Sequence, residues 1–205
     1  MKALEVLKEL AAEKAPGPTP LFTELDLTRA IEIIGSEYVG RSKLSTRLGL
    51  GEGTTRTLID RLLNARLIKT SKLGCELTGR GHSILNELNA KLGTKKRVAQ
   101  SSITVGHYNF GILVKGAANG IKSGIEQRDA AVRAGANGAV TLVLKRGDLV
   151  MPPPAKPMTR EQRSIAMAIK KSFEPHENDV IIIAGGDSEQ FAEEGAMAAA
   201  WVLIE

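Results

Sequence analysis

The sequence predicts an α+β protein built from two small domains, and three observations lead to this fold class. A helix-turn-helix pattern followed by a β-hairpin pattern occupies the N-terminal half of the chain. Strand and helix patterns alternate after residue 101, and a basic, polar run separates the two parts. With 205 residues, 42% of them hydrophobic, the chain is long enough to form two such cores.

Two helices joined by a glycine turn are predicted between residues 42 and 63. The first runs over 42–48, with Ser42 as its N-cap, and the second runs over 52–63. The turn at 49–51 contains two glycines, which permit the backbone to reverse between crossing helices. The apolar spacing of the second helix predicts one buried stripe, formed by Thr55, Leu58, Ile59 and Leu62.

The face of the second helix that this stripe leaves outside has the size and chemistry to enter a DNA major groove. Arg56 could contact guanine or phosphate, and Asp60 could accept from cytosine or hold Arg56. The pattern does not separate base contacts from phosphate contacts. Together with basic residues nearby, the predicted DNA-contact residues are Arg41, Ser42, Lys43, Gly53, Thr54, Arg56, Thr57, Asp60, Arg61 and Lys72.

A β-hairpin, or wing, is predicted directly after the second helix. Strand-like runs at 67–70 and 75–78 are joined by 71–74, which places Lys72 near the tip. A further helix is predicted after Thr78, and a helix capped at Thr23 precedes the pattern. The inward residues of the Thr23 helix are predicted to be Leu27, Ala30, Ile31 and Ile34. The whole pattern predicts a winged helix-turn-helix.

Charge favours DNA as the partner of this domain, although winged helices also serve as protein-protein modules. Between Gly40 and Arg80, nine Lys or Arg residues face three acids, a surplus of six. The complete chain has a net charge of +5. The excess positive charge therefore lies in this one module, as phosphate binding requires.

The residues GRSKLSTRLGL, GEGTTRTLIDRLLNARLI and LGCELTGRG resemble the winged helix of bacterial central glycolytic gene regulators. This resemblance covers residues 21–93 and implies a DNA-binding domain. The whole chain also resembles an uncharacterised archaeal family of winged-helix regulators that carry a C-terminal domain of unknown function, which implies no ligand. One departure is Arg66, which stands where many winged helices have glycine after the recognition helix.

Four segments are predicted along the chain. Residues 1–14 are expected to form a short helix that packs on its own domain or, alternatively, makes a dimer contact. Prolines 16, 18 and 20 indicate an extended connector, and Gly93 to Arg97 indicates a linker. The predicted boundaries are 1–20 for the helix and connector, 21–93 for the winged helix, 94–101 for the basic linker and 102–205 for the second domain.

The second domain shows the order strand, helix, strand, strand, helix, strand, followed by one more helix. The predicted elements lie at 102–114, 125–134, 140–144, 149–151, 159–171 and 180–183. This is the split βαβ order of ferredoxin-like domains. Small-molecule sensors often use this architecture, an inference by analogy. The balanced charge of eleven basic and twelve acidic residues after residue 100 favours dimerisation and effector binding over a second nucleic-acid surface.

Two glycine loops in this domain could bind an anionic or polar effector, because each is predicted to precede a helix N-terminus. Equally, the glycines could only turn the chain, and Arg128 could pair with Asp129 on the surface. The segment MPPPAKP could fold over a pocket or connect rigidly. The candidate ligand residues are Gly116, Asn119, Gly120, Arg128, Gly185, Gly186, Asp187 and Ser188.

No catalytic residues, metal site or cofactor are predicted. The three histidines have no ligand spacing, and the single cysteine, Cys75, is typical of a reducing, intracellular setting. Since no run reaches membrane-span length, the protein is expected to be cytoplasmic. The predicted function is a homodimeric transcription regulator that binds double-stranded DNA and senses a small-molecule effector. An enzyme fused to a regulatory winged helix, or a protein-interaction module, remains the alternative.

Overall fold

The computed structural model describes residues 2–12, 20–152 and 157–204 and contains two compact units that divide after Asn89. The first unit combines helices with a two-stranded sheet, and the second combines helices with a five-stranded sheet. The predicted α+β class is confirmed. The connector predicted around Pro16 and Pro18, and residues 153–156 of the proline segment, lie outside the described residues.

The N-terminal unit contains the predicted helices and wing. The boundary between the units falls in the last turn of its final helix. The elements are α1 (Lys2–Ala11), α2 (Glu24–Ser36), α3 (Arg41–Leu48), α4 (Glu52–Asn64), β1 (Ile68–Ser71), β2 (Gly74–Leu77) and α5 (Gly79–Lys91).

Helix α2 begins as the sequence predicts. Thr23 and Asp26 form a capping box, in which each side chain accepts a hydrogen bond from the other residue's backbone. The four residues predicted to face inward, Leu27, Ala30, Ile31 and Ile34, are all buried.

Helix α1 packs on its own unit, one of the two predicted arrangements. Leu4, Leu7 and Leu10 are buried, and the helix contacts α2. The backbone N–H of Ala3 donates to the carboxylate of Glu87 in α5 at 2.9 Å. The apolar stripe of α1 is therefore satisfied within one chain.

The C-terminal unit has the predicted strand and helix order with one additional strand at its start. A single 3₁₀ turn (Ala118–Gly120) precedes α6. The elements are β3 (Leu92–Arg97), β4 (Tyr108–Val114), α6 (Ile125–Arg133), β5 (Gly138–Lys145), β6 (Asp148–Val150), α7 (Arg160–Phe173), β7 (Val180–Gly186) and α8 (Glu189–Ile204).

The strands form an antiparallel sheet in the order β3-β4-β7-β5-β6. Strand β7 separates β4 from β5, and β5 separates β6 from β7, so both β-α-β units are split. The ferredoxin-like arrangement instead places the first and third strands of the motif at its centre. Here the second and fourth, β5 and β7, are the neighbours. The element order matches the prediction, whereas the lateral order differs because pairing between distant strands leaves no local sequence pattern.

The prediction of a basic linker at 94–101 is wrong, because the first half of this segment belongs to strand β3. Strand β3 pairs only with β4 and therefore forms one edge of the sheet. Charged side chains, lysine above all, are common on edge strands because they discourage pairing with another chain. Residues 98–107, predicted partly as strand, are a loop that buries Ile103 in the core.

The core of this unit lies on both faces of the sheet. Strand β7 is buried at all seven positions, as expected for the central strand of a sheet covered on both faces. One face packs against α7 through Phe173, Ile181 and Ile183, whereas α6 and α8 pack together and α8 covers β4 and β7.

Candidate nucleic-acid interface

The turn between α3 and α4 is fixed by backbone conformation and by a buried arginine. Gly49 adopts the left-handed conformation with φ 72°, and the backbone N–H of Leu50 donates to the carbonyl of Ser45. Arg29 of α2 is 9% exposed and donates to the carbonyls of Arg47 and Leu48 at 3.3 and 3.4 Å. Arg29 thus satisfies the C-terminal carbonyls of α3, a role that the sequence pattern did not indicate.

Ser42 does not cap α3, contrary to the sequence prediction, because the helix begins one residue earlier with Gly40 as its N-cap. The Ser42 hydroxyl instead donates to the carboxylate of Glu52 at 2.9 Å, and the Arg41 guanidinium lies 3.9 Å from the same carboxylate. Glu52 occupies the first turn of α4, where the helix dipole favours a negative charge. This contact ties the start of α3 to the start of α4.

Helix α4 divides into the two faces that its sequence predicts. The buried residues are Thr55, Leu58, Ile59 and Leu62, so the predicted stripe is confirmed. On the other face, Gly53 and Thr57 are exposed and Thr54 is half-buried.

Arg56 is the most prominent cation of the exposed face, with 73% of its side chain accessible. Its Nε lies 3.9 Å from a carboxylate oxygen of Asp60, whose side chain is 58% exposed. An ion pair this long between exposed side chains contributes little to stability. Arg56 can therefore exchange Asp60 for another acceptor at small cost.

Arg61 has a different environment from the one predicted. Its guanidinium donates to the carbonyls of Leu10 and Ala12 at 2.5 and 2.7 Å and lies 5.3 Å from the centre of the Phe22 ring. These acceptors belong to the C-terminal end of α1 and the residue after it. Arg61 therefore holds α1 against α4 through hydrogen bonds and a cation–π contact.

An acid outside the charge-rich module neutralises part of it. Glu37, just before α3, pairs with both Lys43 and Arg47. The hydrogen bond from Lys43, together with the positive charge of Lys43 and Arg47, lowers the pKa of the Glu37 carboxyl below its ordinary value. Lys43 and Arg47 are thus held on one side of α3 at neutral pH.

The wing consists of β1 and β2 in antiparallel register from Ile68↔Leu77 to Ser71↔Gly74. Lys72 and Leu73 form its two-residue tip, and Leu73 is 70% exposed although it is apolar. Val39 extends this sheet by pairing with Cys75 on the other edge of β2. Burial raises the pKa of the Cys75 thiol, which keeps it protonated and weakly nucleophilic.

Arg66 fills the position at which many winged helices have glycine, and its backbone adopts the conformation that favours glycine, with φ 57°. The N–H of Arg66 donates to the carbonyl of Leu63, and that of Leu67 donates to the carbonyl of Leu62. These two bonds form a Schellman motif at the end of α4. The turn into β1 therefore holds Arg66 in a left-handed backbone conformation that is strained for a residue with a side chain.

Some basic side chains of this unit remain unpaired. Within the described residues, no carboxylate lies at ion-pair distance from Arg66, Lys72 or Arg80, whereas Lys69 pairs with Glu76. Of these three, only Lys72 is among the predicted DNA-contact residues. Solvent-facing cations without acids are suited to contact phosphate.

The first glycine loop of the C-terminal unit does not precede an α-helix as predicted. Asn119 and Gly120 belong to the single 3₁₀ turn, and α6 begins only at Ile125. The N–H of Gly116 donates to the buried carboxylate of Asp179 at 2.8 Å. That donor is already occupied by the protein, so the loop does not offer the predicted anion cradle.

The second glycine pair is also placed differently from the prediction, because Gly185 and Gly186 lie inside β7. A Cβ on Gly185 would come within 2.3 Å of the backbone nitrogen of Gly106, so the absence of a side chain permits close packing of loop 98–107. Ser188 accepts a hydrogen bond from the Phe191 N–H at the start of α8, and Asp187 accepts one from Asn137. These contacts are structural.

Two families match separate parts of the chain. Residues 27–92 match the CggR N-terminal DNA binding domain, and residues 105–203 match a domain of unknown function, DUF4443. The chain therefore joins a part that is similar to the CggR N-terminal DNA binding domain to a part that is similar to DUF4443, and the second part is called the DUF4443 domain below. The first match coincides with the helix-turn-helix and wing.

A solved structure from an archaeon resembles this chain over most of its length. A hypothetical protein, PH0730 from Pyrococcus horikoshii OT3, is 29% identical, with a TM-score of 0.70 over 89% of this chain and 92% of that protein. No protein of curated function matches the sequence.

Arg128 of the DUF4443 domain pairs with its neighbour Asp129 on the surface, at 2.9 Å. It also lines a cavity of about 200 Å³ at the start of α6, together with Gly124 and Thr141. The hydroxyl of Thr141 is buried and has no hydrogen-bond partner within the described residues. Arg128 is therefore a predicted ligand residue that borders a cavity.

A larger cavity of about 600 Å³ lies between β6 and α7 of the DUF4443 domain. The described residues that line it include none of the predicted ligand residues. Over the described ranges, no group of three or more histidine, cysteine, aspartate or glutamate side chains could hold a metal ion. No helix in the same ranges is both long and apolar enough to cross a membrane.

Proposed function

We propose that this protein regulates transcription as a homodimer that binds specific sequences of double-stranded DNA, with α4 as the recognition helix. The observation that carries the proposal is the exposed face of α4. Its other face is fully packed against the unit, while Arg56 projects with 73% of its side chain accessible. A rigidly supported helix with an exposed arginine and hydroxyls is the form in which proteins read base edges in the major groove.

Gly53 also supports the proposal, because no packing constraint in the fold requires a glycine at this position. A Cβ at this position would meet no atom within 4 Å, and glycine has a lower helix propensity than alanine, by up to about 1 kcal/mol in a helix interior. An external partner that approaches the backbone closely would explain it. Free N–H groups in the first turn of α4 then suit a phosphate.

The proposed contacts fall into two groups. Arg56, Thr54 and Thr57 lie on α4 and are proposed to reach bases or adjacent phosphates. The cations of α3 and the wing tip, Arg41, Lys43 and Lys72, are proposed to bind phosphates, with Ser42 beside them. Arg41 and Lys43 would exchange their exposed carboxylate partners, Glu52 and Glu37, for phosphate oxygens. Arg61 is left out of both groups, since its guanidinium is bonded to the end of α1.

The DUF4443 domain is proposed to pair the subunits and to bind a small-molecule effector. A homodimer would present two copies of α4 to half-sites about 34 Å apart, one turn of DNA. An effector that binds one spacing of these helices better than another would change operator affinity by its differential affinity for the two states.

The test is selection of bound fragments from genomic DNA by the full-length protein at near-physiological salt, where non-specific phosphate binding weakens. Enrichment of a short inverted repeat would support a dimeric sequence reader. Failure to enrich any motif, with and without cell metabolites, would overturn the proposal.

A second step assigns the interface with Arg56→Ala. We expect a loss in operator affinity of about tenfold to a hundredfold and a decrease of about 1 in the salt-dependence slope. The matched control is Arg133→Ala, which removes an equal charge from the exposed surface of α6. Unchanged affinity and slope in Arg56→Ala would remove α4 from the interface.

A further inference from the structure

The cavity between β6 and α7 has a size typical of small-molecule sites. It measures about 600 Å³, within the range of roughly 300–1,000 Å³ found for ligand pockets. Helix α7 contributes Arg163, Ala166, Met167 and Lys170, which recur at helical spacing and form one stripe. Strand β6, the edge strand opposite β3, contributes the other wall.

Most of the cavity wall is apolar and adaptable. Leu149, Met151, Met158 and Met167 all border it. Met167 is 64% exposed and Val150 is 38% exposed, although both side chains are apolar. Methionine is unbranched and polarisable, so a wall with three of them can adjust to different apolar shapes.

Among the described residues that line the cavity, the charged side chains are two cations and one acid. Lys170 donates to the carbonyl of Gly147 in the turn between β5 and β6, so its charge is partly engaged. Asp148 also lines the cavity and would repel an anion placed close to it. Arg163 has no ion-pair partner among the residues that the structure describes, and its guanidinium is free to bind a planar carboxylate with two hydrogen bonds.

We infer that this cavity binds a small apolar carboxylic acid, with its hydrocarbon part among the methionines and its carboxylate on Arg163. The charge and the apolar wall together exclude a strongly hydrated ligand such as free phosphate or a sugar, which would leave its polar groups unpaired against methyl groups. This inference rests on one part of the proposed function, namely that the DUF4443 domain binds the effector of the regulator.

The methionine methyl groups allow a direct test by NMR on the full-length protein, without DNA. The chain contains five methionines, of which Met151, Met158 and Met167 line the cavity. Met197 is buried in α8 and serves as an internal control. Titration with octanoate is expected to shift the three cavity methyl signals saturably and to leave that of Met197 in place.

Arg163→Gln is expected to weaken octanoate binding about tenfold and to leave binding of neutral octanamide unchanged. Arg160→Gln, at the exposed start of the same helix, is the matched control and should bind like the unmodified protein. Equal affinity for octanoate and octanamide would overturn the assignment of Arg163. Absence of shifts at the three methionines, or equal shifts at Met197, would overturn the site itself.

A second copy of the chain is the other possible occupant of this surface. Cavity methyl signals that depend on protein concentration without octanoate, together with a doubled mass in light scattering, would assign the cavity to a dimer interface and overturn the ligand inference. The failures of the two proposals are distinguishable. If octanoate binds but the DNA selection enriches no motif, the proposed regulatory function is wrong and the ligand site stands. If a motif is enriched but octanoate does not bind, the ligand site is wrong and the regulatory function stands.

Discussion

At the scale of single residues, Gly53 is a glycine that the fold does not require but that close approach of DNA would explain. Alanine fits the open space at this position and has the higher helix propensity. We expect Gly53→Ala to raise the free energy of unfolding by about 0.5–1 kcal/mol. Operator binding should nevertheless weaken, because the added methyl group would lie where the DNA backbone is proposed to approach α4. Urea denaturation and operator titration of one preparation measure both.

The control for Gly53 is Ser83→Ala, a substitution at an exposed site in α5. It should leave operator affinity unchanged. If Gly53→Ala stabilised the protein and bound DNA as tightly as before, the proposed close approach at the start of α4 would be refuted.

Arg66 carries a second residue-scale prediction, which concerns stability. Its φ of 57° is easily adopted by glycine and disfavoured for arginine. We expect Arg66→Gly to stabilise the N-terminal unit by about 0.5–1 kcal/mol, measured as a rise in the urea midpoint at constant slope. Arg66→Ala removes the same charge but keeps the strain, so it should give no gain. A similar gain in both variants would point to charge rather than backbone conformation.

At the scale of elements, Arg61 couples α1 to α4, the proposed recognition helix. Its removal leaves the carbonyls of Leu10 and Ala12 without their charged donor. Arg61→Ala should lower the free energy of unfolding by about 1–2 kcal/mol. It should also speed tryptic cleavage after Lys8 in α1, which gel electrophoresis follows over time.

Arg56→Ala provides the comparison for Arg61, since both residues lie on α4. Because Arg56 is exposed and weakly paired, its removal should change stability by less than about 0.5 kcal/mol. Equal loss of stability in the two variants would contradict the structural role given to Arg61.

The elements also mark the limit of what the sequence predicts. Helix periodicity is local, so the buried stripe of α4 and the capping box at Thr23 could be predicted from spacing alone. Arg61 and its acceptor Leu10 are 51 positions apart, and nothing in the spacing links them. The same holds for Arg29 and for the pairing of β5 with β7. Strand β3 was missed because its lysines resemble those of a linker.

The role of Gly185 and Gly186 in the candidate ligand site also could not be predicted from the sequence. A Gly-Gly pair before a predicted helix fits an anion loop, a turn or close packing equally well from sequence. Only the approach of Gly106 to Gly185 and Gly186 shows that close packing explains this pair. The cavity beside Arg163 left no sequence signal, because its walls come from a strand and a helix separated by the proline segment.

At the scale of the whole molecule, a regulator with two sites must obey thermodynamic reciprocity. If octanoate bound to the DUF4443 domain changes operator affinity by some factor, operator DNA must change octanoate affinity by that same factor and in the same direction. Coupling of this kind commonly amounts to about 5-fold to 150-fold. It requires two states of the protein that both ligands distinguish.

Calorimetric titration of octanoate into the free protein and into its operator complex measures this coupling from one side. Operator titration with and without saturating octanoate measures it from the other, under identical salt because phosphate contacts make DNA affinity salt-dependent. We expect equal factors from both measurements. In Arg163→Gln, octanoate at concentrations that leave its site empty should not change operator affinity. Unequal factors would mean that octanoate acts through a second site, since a single coupled equilibrium cannot give two different values.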